Sequence, residues 1–218
     1  MVTSSDSVLA CMRAVGEDLL AARLSGLTPR ERVYLSLAAE VCLSPGAMEA
    51  IVADAGRHGI TSADLRAVIR FVAYEAGYSQ ATAAMLRLNA LAPHADDPAA
   101  ARAMADAAAE DVDSLPDFAR AKLTKLDPRF GELMTLESRM RRDHLTTLSV
   151  RERAFISMTA DIMYQTLGDT FRIHTMRALR AGVDHETVRA VACYAARFGV
   201  TRAWSALDAM NTFLPDAA

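Results

Sequence analysis

The segment Leu27-Thr28-Pro29-Arg30-Glu31-Arg32-Val33-Tyr34-Leu35-Ser36 returns 121 residues later as Leu148-Ser149-Val150-Arg151-Glu152-Arg153-Ala154-Phe155-Ile156-Ser157. Such self-similarity constrains architecture more than any single element, because both copies must be able to adopt one fold. His58-Gly59-Ile60 and Leu65-Arg66-Ala67-Val68 answer to Ala181-Gly182-Val183 and Val188-Arg189-Ala190-Val191 at an offset of 123, and Gly77 answers to Gly199 at 122. The second copy has therefore gained two residues between the first blocks and lost one later. Two diverged units of about 65 residues, Leu27 to Leu91 and Leu148 to Leu214, account for most of the chain.

Each unit reads as helices. Thr28 with Glu31, and Ser149 with Glu152, form capping boxes, in which the hydroxyl accepts a first-turn amide and the glutamate reaches back to the cap. Pro29 suits a first helical turn, where its missing amide would be unpaired anyway. Val33, Tyr34, Leu37, Ala38 and Val41 follow at helical spacing, as do Ala154, Phe155, Met158 and Ile162, so one face of each first helix is expected in the core and the other in water. Second helices are expected over about 47–58 and 170–181, each ended by a glycine, Gly59 or Gly182. Thr61 with Asp64, and Asp184 with Thr187, open third helices that stop near Gly77 and Gly199. Last helices are expected over 81–91 and 202–213. No segment reads as a strand. The expected organisation is a first repeat over 1–92, an Ala-rich bridging segment over 93–116 with a helix at 99–109 (a flexible linker being the alternative), and a second repeat over 117–218.

Composition narrows the function classes. With 27 acidic and 24 basic residues the net charge is −3, which argues against a surface that binds nucleic acid by counterion release. No apolar run approaches membrane-spanning length. Cys11, Cys42 and Cys193 form an odd, scattered set, fitting a reducing cytoplasm better than a disulfide framework. No glycine-rich phosphate loop, H-E-x-x-H or Cys/His cluster appears, so no metal and no cofactor is expected.

The capped Arg-Glu-Arg helix, the Gly-terminated helix, the second capped helix and the glycine turn together resemble the carboxymuconolactone decarboxylase and alkylhydroperoxidase D superfamily. The resemblance implies an all-α fold of two fused repeats and a homo-oligomer: a homotrimer imitating a hexamer, with a dimer as the alternative. Peroxidase members of that family carry a C-x-x-C and a following histidine; the first copy offers only Cys42 there and the second offers none. Decarboxylase-like members carry a histidine eight residues before the helix-ending glycine. That position is His174 in the second copy and Ile51 in the first, so one site per chain is expected. The glutamate those members place after Arg-Glu-Arg is replaced by Val33 and Ala154.

His174 is the leading acid/base candidate, since imidazole exchanges protons near neutral pH. Asp161, matched by Glu40 in the first copy, is its candidate partner. Arg177 and Arg172 are candidate forks for a substrate carboxylate, and Tyr164, like Tyr78, a candidate hydrogen-bond donor in a helix-lined pocket. The bland alternatives are solvated arginines and core aromatics. Asp169 reads as a helix cap, and Arg139, Arg141 and Arg142 as a charged helix face. The expected function is a cofactor-independent lyase or isomerase working on a small unsaturated lactone, ketone or carboxylate, a repurposed biosynthetic enzyme or cyclase included. A non-catalytic ligand-binding or structural protein of the same fold is the alternative from another class, and a peroxidase relying on Cys42 alone is a third.

Overall fold

The computed structural model describes residues 7–24, 26–44, 46–93, 117–143 and 147–214. Among them are eleven α-helices, one 3₁₀ turn and no strand, so the protein is all-α. The stretch expected as a bridging helix and the side chains of Arg139, Arg141 and Arg142 lie outside the described residues.

The helices of both copies belong to one compact unit, Met1–Leu91 with Ser149–Ala218; Ala92–Leu148 is a second. In the first unit, α1 (Ser7–Arg23) precedes α2 (Pro29–Leu43), α3 (Met48–Arg57), α4 (Ser62–Ala76) and α5 (Tyr78–Leu91). The second unit holds α6 (Asp117–Leu126) and α7 (Pro128–Asp143), packed on each other and joined through Asp127. Asp127 caps α7 by accepting the Arg129 and Phe130 amides at 2.8 and 3.2 Å. The first unit resumes with α8 (Val150–Tyr164), α9 (Asp169–Arg180), α10 (His185–Tyr194), the 3₁₀ turn Ala195–Phe198 and α11 (Val200–Asn211).

The caps act as the sequence predicts. The Glu31 amide donates to Thr28 Oγ1 at 3.1 Å and Glu31 Oε2 accepts the Thr28 amide at 2.8 Å; Glu152 and Ser149 repeat this at 3.1 and 2.7 Å. Gly59 and Gly182 take φ of +67° and +83°, and the amides that follow, Ile60 and Val183, return to Ala55 and Ala178 at 2.9 and 3.2 Å. This helix-ending motif needs a residue that tolerates the left-handed region. The length differences between copies fall at definite places. Burial pairs Phe171 with Met48 and Ala178 with Ala55, so the two extra residues of α9 sit at its N-terminus, as Asp169 and Thr170. Asp169 is the first helical residue there, behind Gly168, rather than the cap. In the other direction, the second copy winds its last turn before Gly199 as a 3₁₀ turn, a tighter helix with a longer rise per residue that spans the same distance with one residue fewer.

One expectation is corrected. Neither α2 nor α8 has a buried face and a polar face: every residue from Ala154 to Met163 is buried, as are Val33 to Leu35 and Leu37 to Cys42. The two helices pack on each other, α8 also touching α4, α9, α10 and α11 and α2 touching α3, α4 and α5. The reason is a reciprocal interlock. Arg30 Nε donates to Glu152 Oε1 at 2.9 Å, and Arg151 Nε donates to Glu31 Oε1 at 2.5 Å. Each glutamate thus closes its own capping box and receives the arginine of the other copy. The polar residues that mimic a solvent face are consumed inside the unit.

Candidate functional site

The C-terminal half of α8 brings Asp161 and Tyr164 to the end of the helix, which stops where Gln165 turns left-handed at φ 58°. The reversed chain folds back on the helix: the Thr166 amide donates to the Asp161 carbonyl at 2.9 Å and its hydroxyl to Asp161 Oδ1 at 2.9 Å. α9 then anchors through Phe171, Thr175 and Ala178, all fully buried, and this presents His174 to the other carboxylate oxygen. His174 Nδ1 lies 2.7 Å from Asp161 Oδ2, with the side chains only 14% and 6% exposed. An ionised carboxylate can only accept, which makes His174 Nδ1 the donor in this contact. The two residues that the sequence singled out as acid/base candidates are hydrogen-bonded partners.

Asp161 also forms part of the wall of a pocket of about 580 Å³, open to solvent. Copy two contributes Ala160, Asp161, Tyr164, Thr166 and Thr170; copy one contributes Cys42, Glu75, Ala76 and Gln80. Glu75 Oε1 accepts a hydrogen bond from the Ser157 hydroxyl at 2.8 Å. Tyr164, 40% exposed, directs its hydroxyl to the Cys42 and Ala76 carbonyls in long contacts of 3.4 and 3.5 Å. Burial pushes the Tyr164 phenol up to about 12, with the Cys42 thiol adding to the shift. Burial likewise pushes the Cys42 thiol up to about 12; the Tyr164 hydroxyl opposes this, and the charges of Glu75 and Asp161 reinforce it. Both carboxylates therefore act on the same point of the wall.

The other candidates fall elsewhere. Arg172 lies over the Phe213 ring, 6.0 Å from its centre, and Arg177 is half-buried on α9; neither lines this pocket. Tyr78 is 60% exposed on α5. His174 itself stands behind Asp161 rather than in the lining. Among the described residues no group of three or more His, Cys, Asp or Glu is arranged to hold a metal ion. Glu75 escaped the sequence reading. Its one signal is a charge reversal, since Arg197 holds the equivalent place in copy two.

The matching acid of copy one is used differently. Glu40 is 1% exposed, accepts the Ala47 amide at 2.9 Å at the start of α3, and faces the Arg87 guanidinium at 3.2 Å. A guanidinium partner and the bond to the Ala47 amide make it a structural acid, whereas the partner of Asp161 is an imidazole. Around the equivalent wall, Met163, Phe198 and Arg202 stand where Cys42, Ala76 and Gln80 stand here, and Arg202 donates to the Met163 carbonyl. Divergence has put the imidazole, the small side chains and the second carboxylate on one side. Neither a protein-family model nor a curated protein matches this chain.

Proposed function

We propose that the protein is a cofactor-independent lyase or isomerase that works by acid/base chemistry on a small unsaturated lactone, ketone or carboxylate. The observation that carries this reading is the 2.7 Å bond between His174 Nδ1 and Asp161 Oδ2 at the wall of a pocket large enough for a small molecule. A carboxylate in the pocket wall can take a proton from carbon next to a carbonyl, while the imidazole behind it donates to its other oxygen and holds it in place. The electron pair of the broken C–H bond moves into the carbonyl, where the Tyr164 hydroxyl donates a hydrogen bond to the oxygen. Return of the proton to another carbon isomerises the substrate; loss of carbon dioxide to the same electron sink, followed by protonation, is the lyase variant. Burial holds the Cys42 thiol up and so disfavours the thiolate that the peroxidase reading needs. Tyr78, Leu86, Val200 and Trp204, each at least 60% exposed on the last helices of the two copies, support the reading of a homo-oligomer, and solution mass distinguishes the homotrimer from the dimer.

The test is deuterium uptake from heavy water into a panel of unsaturated lactones and ketones, followed by proton NMR. Asp161→Asn is expected to slow exchange by about 10²–10⁴-fold and His174→Ala to slow it and shift its pH profile. Undiminished exchange in a folded Asp161→Asn protein, or unchanged small-molecule profiles in cells lacking the gene, would overturn the reading.

A further inference from the structure

The Asp161 carboxylate accepts a donor on each oxygen: His174 Nδ1 lies 2.7 Å from Oδ2 and the Thr166 hydroxyl 2.9 Å from Oδ1. A carboxylate turns about its Cβ–Cγ bond in a broad, two-fold potential. One donor leaves that torsion loose, whereas donors on both oxygens fix it. The second donor is itself tied at both ends. The Thr166 amide donates to the Asp161 carbonyl at 2.9 Å and the Thr170 hydroxyl donates to the Thr166 carbonyl at 3.1 Å, which joins this turn to the end of α8 and the start of α9. Thr166 and Thr170 both line the pocket. Thr166 is exposed, so water reaches this edge of the wall; a water comes untethered, whereas the threonine hydroxyl is delivered by its own backbone. Copy two alone has this pair of donors. Where it has His174 and Thr166, copy one has Ile51 and Pro45, and proline offers neither an N–H nor a hydroxyl. Glu40 takes its bonds elsewhere, from the Ala47 amide and the Arg87 guanidinium.

We propose that Thr166 is the positioning residue of this site: its hydroxyl locks the Asp161 carboxylate against His174, so that the base meets its substrate in one orientation. A base that is already oriented adds no ordering cost at the moment of reaction, and a misplaced one loses up to about 10²-fold in rate. The catalytic consequence rests on the acid/base reading of the same site, while the lock itself can be read without a substrate. Thr166→Val removes the hydroxyl and keeps the branched side chain and the amide; Thr166→Ala is a second variant without the hydroxyl, and Thr166→Ser restores it. In the full chain carrying isotope-labelled histidine, the His174 Nδ1 proton is identified by its absence from His174→Ala, and its exchange with water is timed by proton NMR. Thr166→Val and Thr166→Ala are expected to speed that exchange at least about tenfold and Thr166→Ser to stay within about threefold of the unaltered protein. For deuterium uptake by the lactones and ketones, the variants without the hydroxyl should lower kcat by about 10–10²-fold with KM little changed, and Thr166→Ser should recover it. An unchanged Nδ1 proton in Thr166→Val and Thr166→Ala, no such proton signal in the unaltered protein, or a kcat loss that Thr166→Ser fails to recover overturns the proposal. Faster proton exchange in Thr166→Val beside deuterium uptake that Asp161→Asn leaves undiminished would instead sink the acid/base reading and leave the lock standing. An unchanged proton beside uptake that Asp161→Asn abolishes would do the reverse.

Discussion

Cys42 sits in the wall beside two carboxylates, and burial in that setting holds its thiol up at about 12. Thiolate, not thiol, is the species that alkylates. Iodoacetamide at pH 8 is therefore expected to label the exposed Cys11 at least about a hundredfold faster than Cys42 in the folded protein. Peptide mapping by mass spectrometry reads this directly, and comparable rates would contradict the environment described. Gly26 makes a different residue-scale case. A Cβ built there would lie 2.2 Å from Thr187 Oγ1, 3.0 Å from its Cβ and 3.2 Å from its Cα. Thr187 cannot yield, since its amide and hydroxyl are both bonded to Asp184, and the Gly26 carbonyl accepts from Arg151 at 2.7 Å. Gly26→Ala is expected to destabilise the protein by about 1–3 kcal/mol in urea unfolding.

The third helices of the two copies are opened by aspartates whose carboxyls are held low. For Asp64, burial favours the neutral form, but the Thr61 hydroxyl and amide and the Arg30 guanidinium outweigh it. For Asp184 the Thr187 amide and hydroxyl do the same. A carboxyl lowered on folding contributes stability above its unfolded value, near pH 4, and loses it as pH falls through the folded value. The urea midpoint should thus drop between pH 5 and about pH 2, and Asp64→Asn should lower it at pH 7 while flattening that part of the acid dependence. An equal acid dependence in the variant would show that the cap of α4 contributes nothing to it. At the same scale, α8 carries three duties along one rod: its first turn locks the copies together, its middle fills the core, and its last turns carry Asp161 and Tyr164 to the pocket. The two residues added to α9 bring Thr170 to the same wall.

In the molecule as a whole, the helix that starts each copy is surrounded by helices of both. Neither copy can bury its own first helix alone, because much of what covers α2 is α8 and the converse. A chain restricted to 1–92 is expected to show little helix by circular dichroism and no cooperative urea transition, and to gain both on mixing with 117–218. An autonomous, cooperatively folding half would refute this. Much of the local structure was legible in the residues. Thr28-x-x-Glu31, Ser149-x-x-Glu152, Gly59 and Gly182 define helix ends through hydrogen bonds that close within a few positions, and the 123-residue correspondence singles out His174 against Ile51. Other features were not legible. The all-round burial of α2 and α8 was hidden because Glu31, Glu40, Ser157 and Asp161 look like a solvent face until their partners are known. Glu75, Cys42 and Gln80 join Asp161 and Tyr164 only across about 80 to 120 residues of chain, where no local spacing can register a contact. The sequence by itself determined the repeat, the helices and the imidazole that one copy kept, since these depend on short-range hydrogen bonding and periodicity. Only the tertiary structure decided that the polar stripes are an interlock and that Glu75 and Asp161 share one pocket wall, because both depend on which side chains of one copy the packing sets against the other.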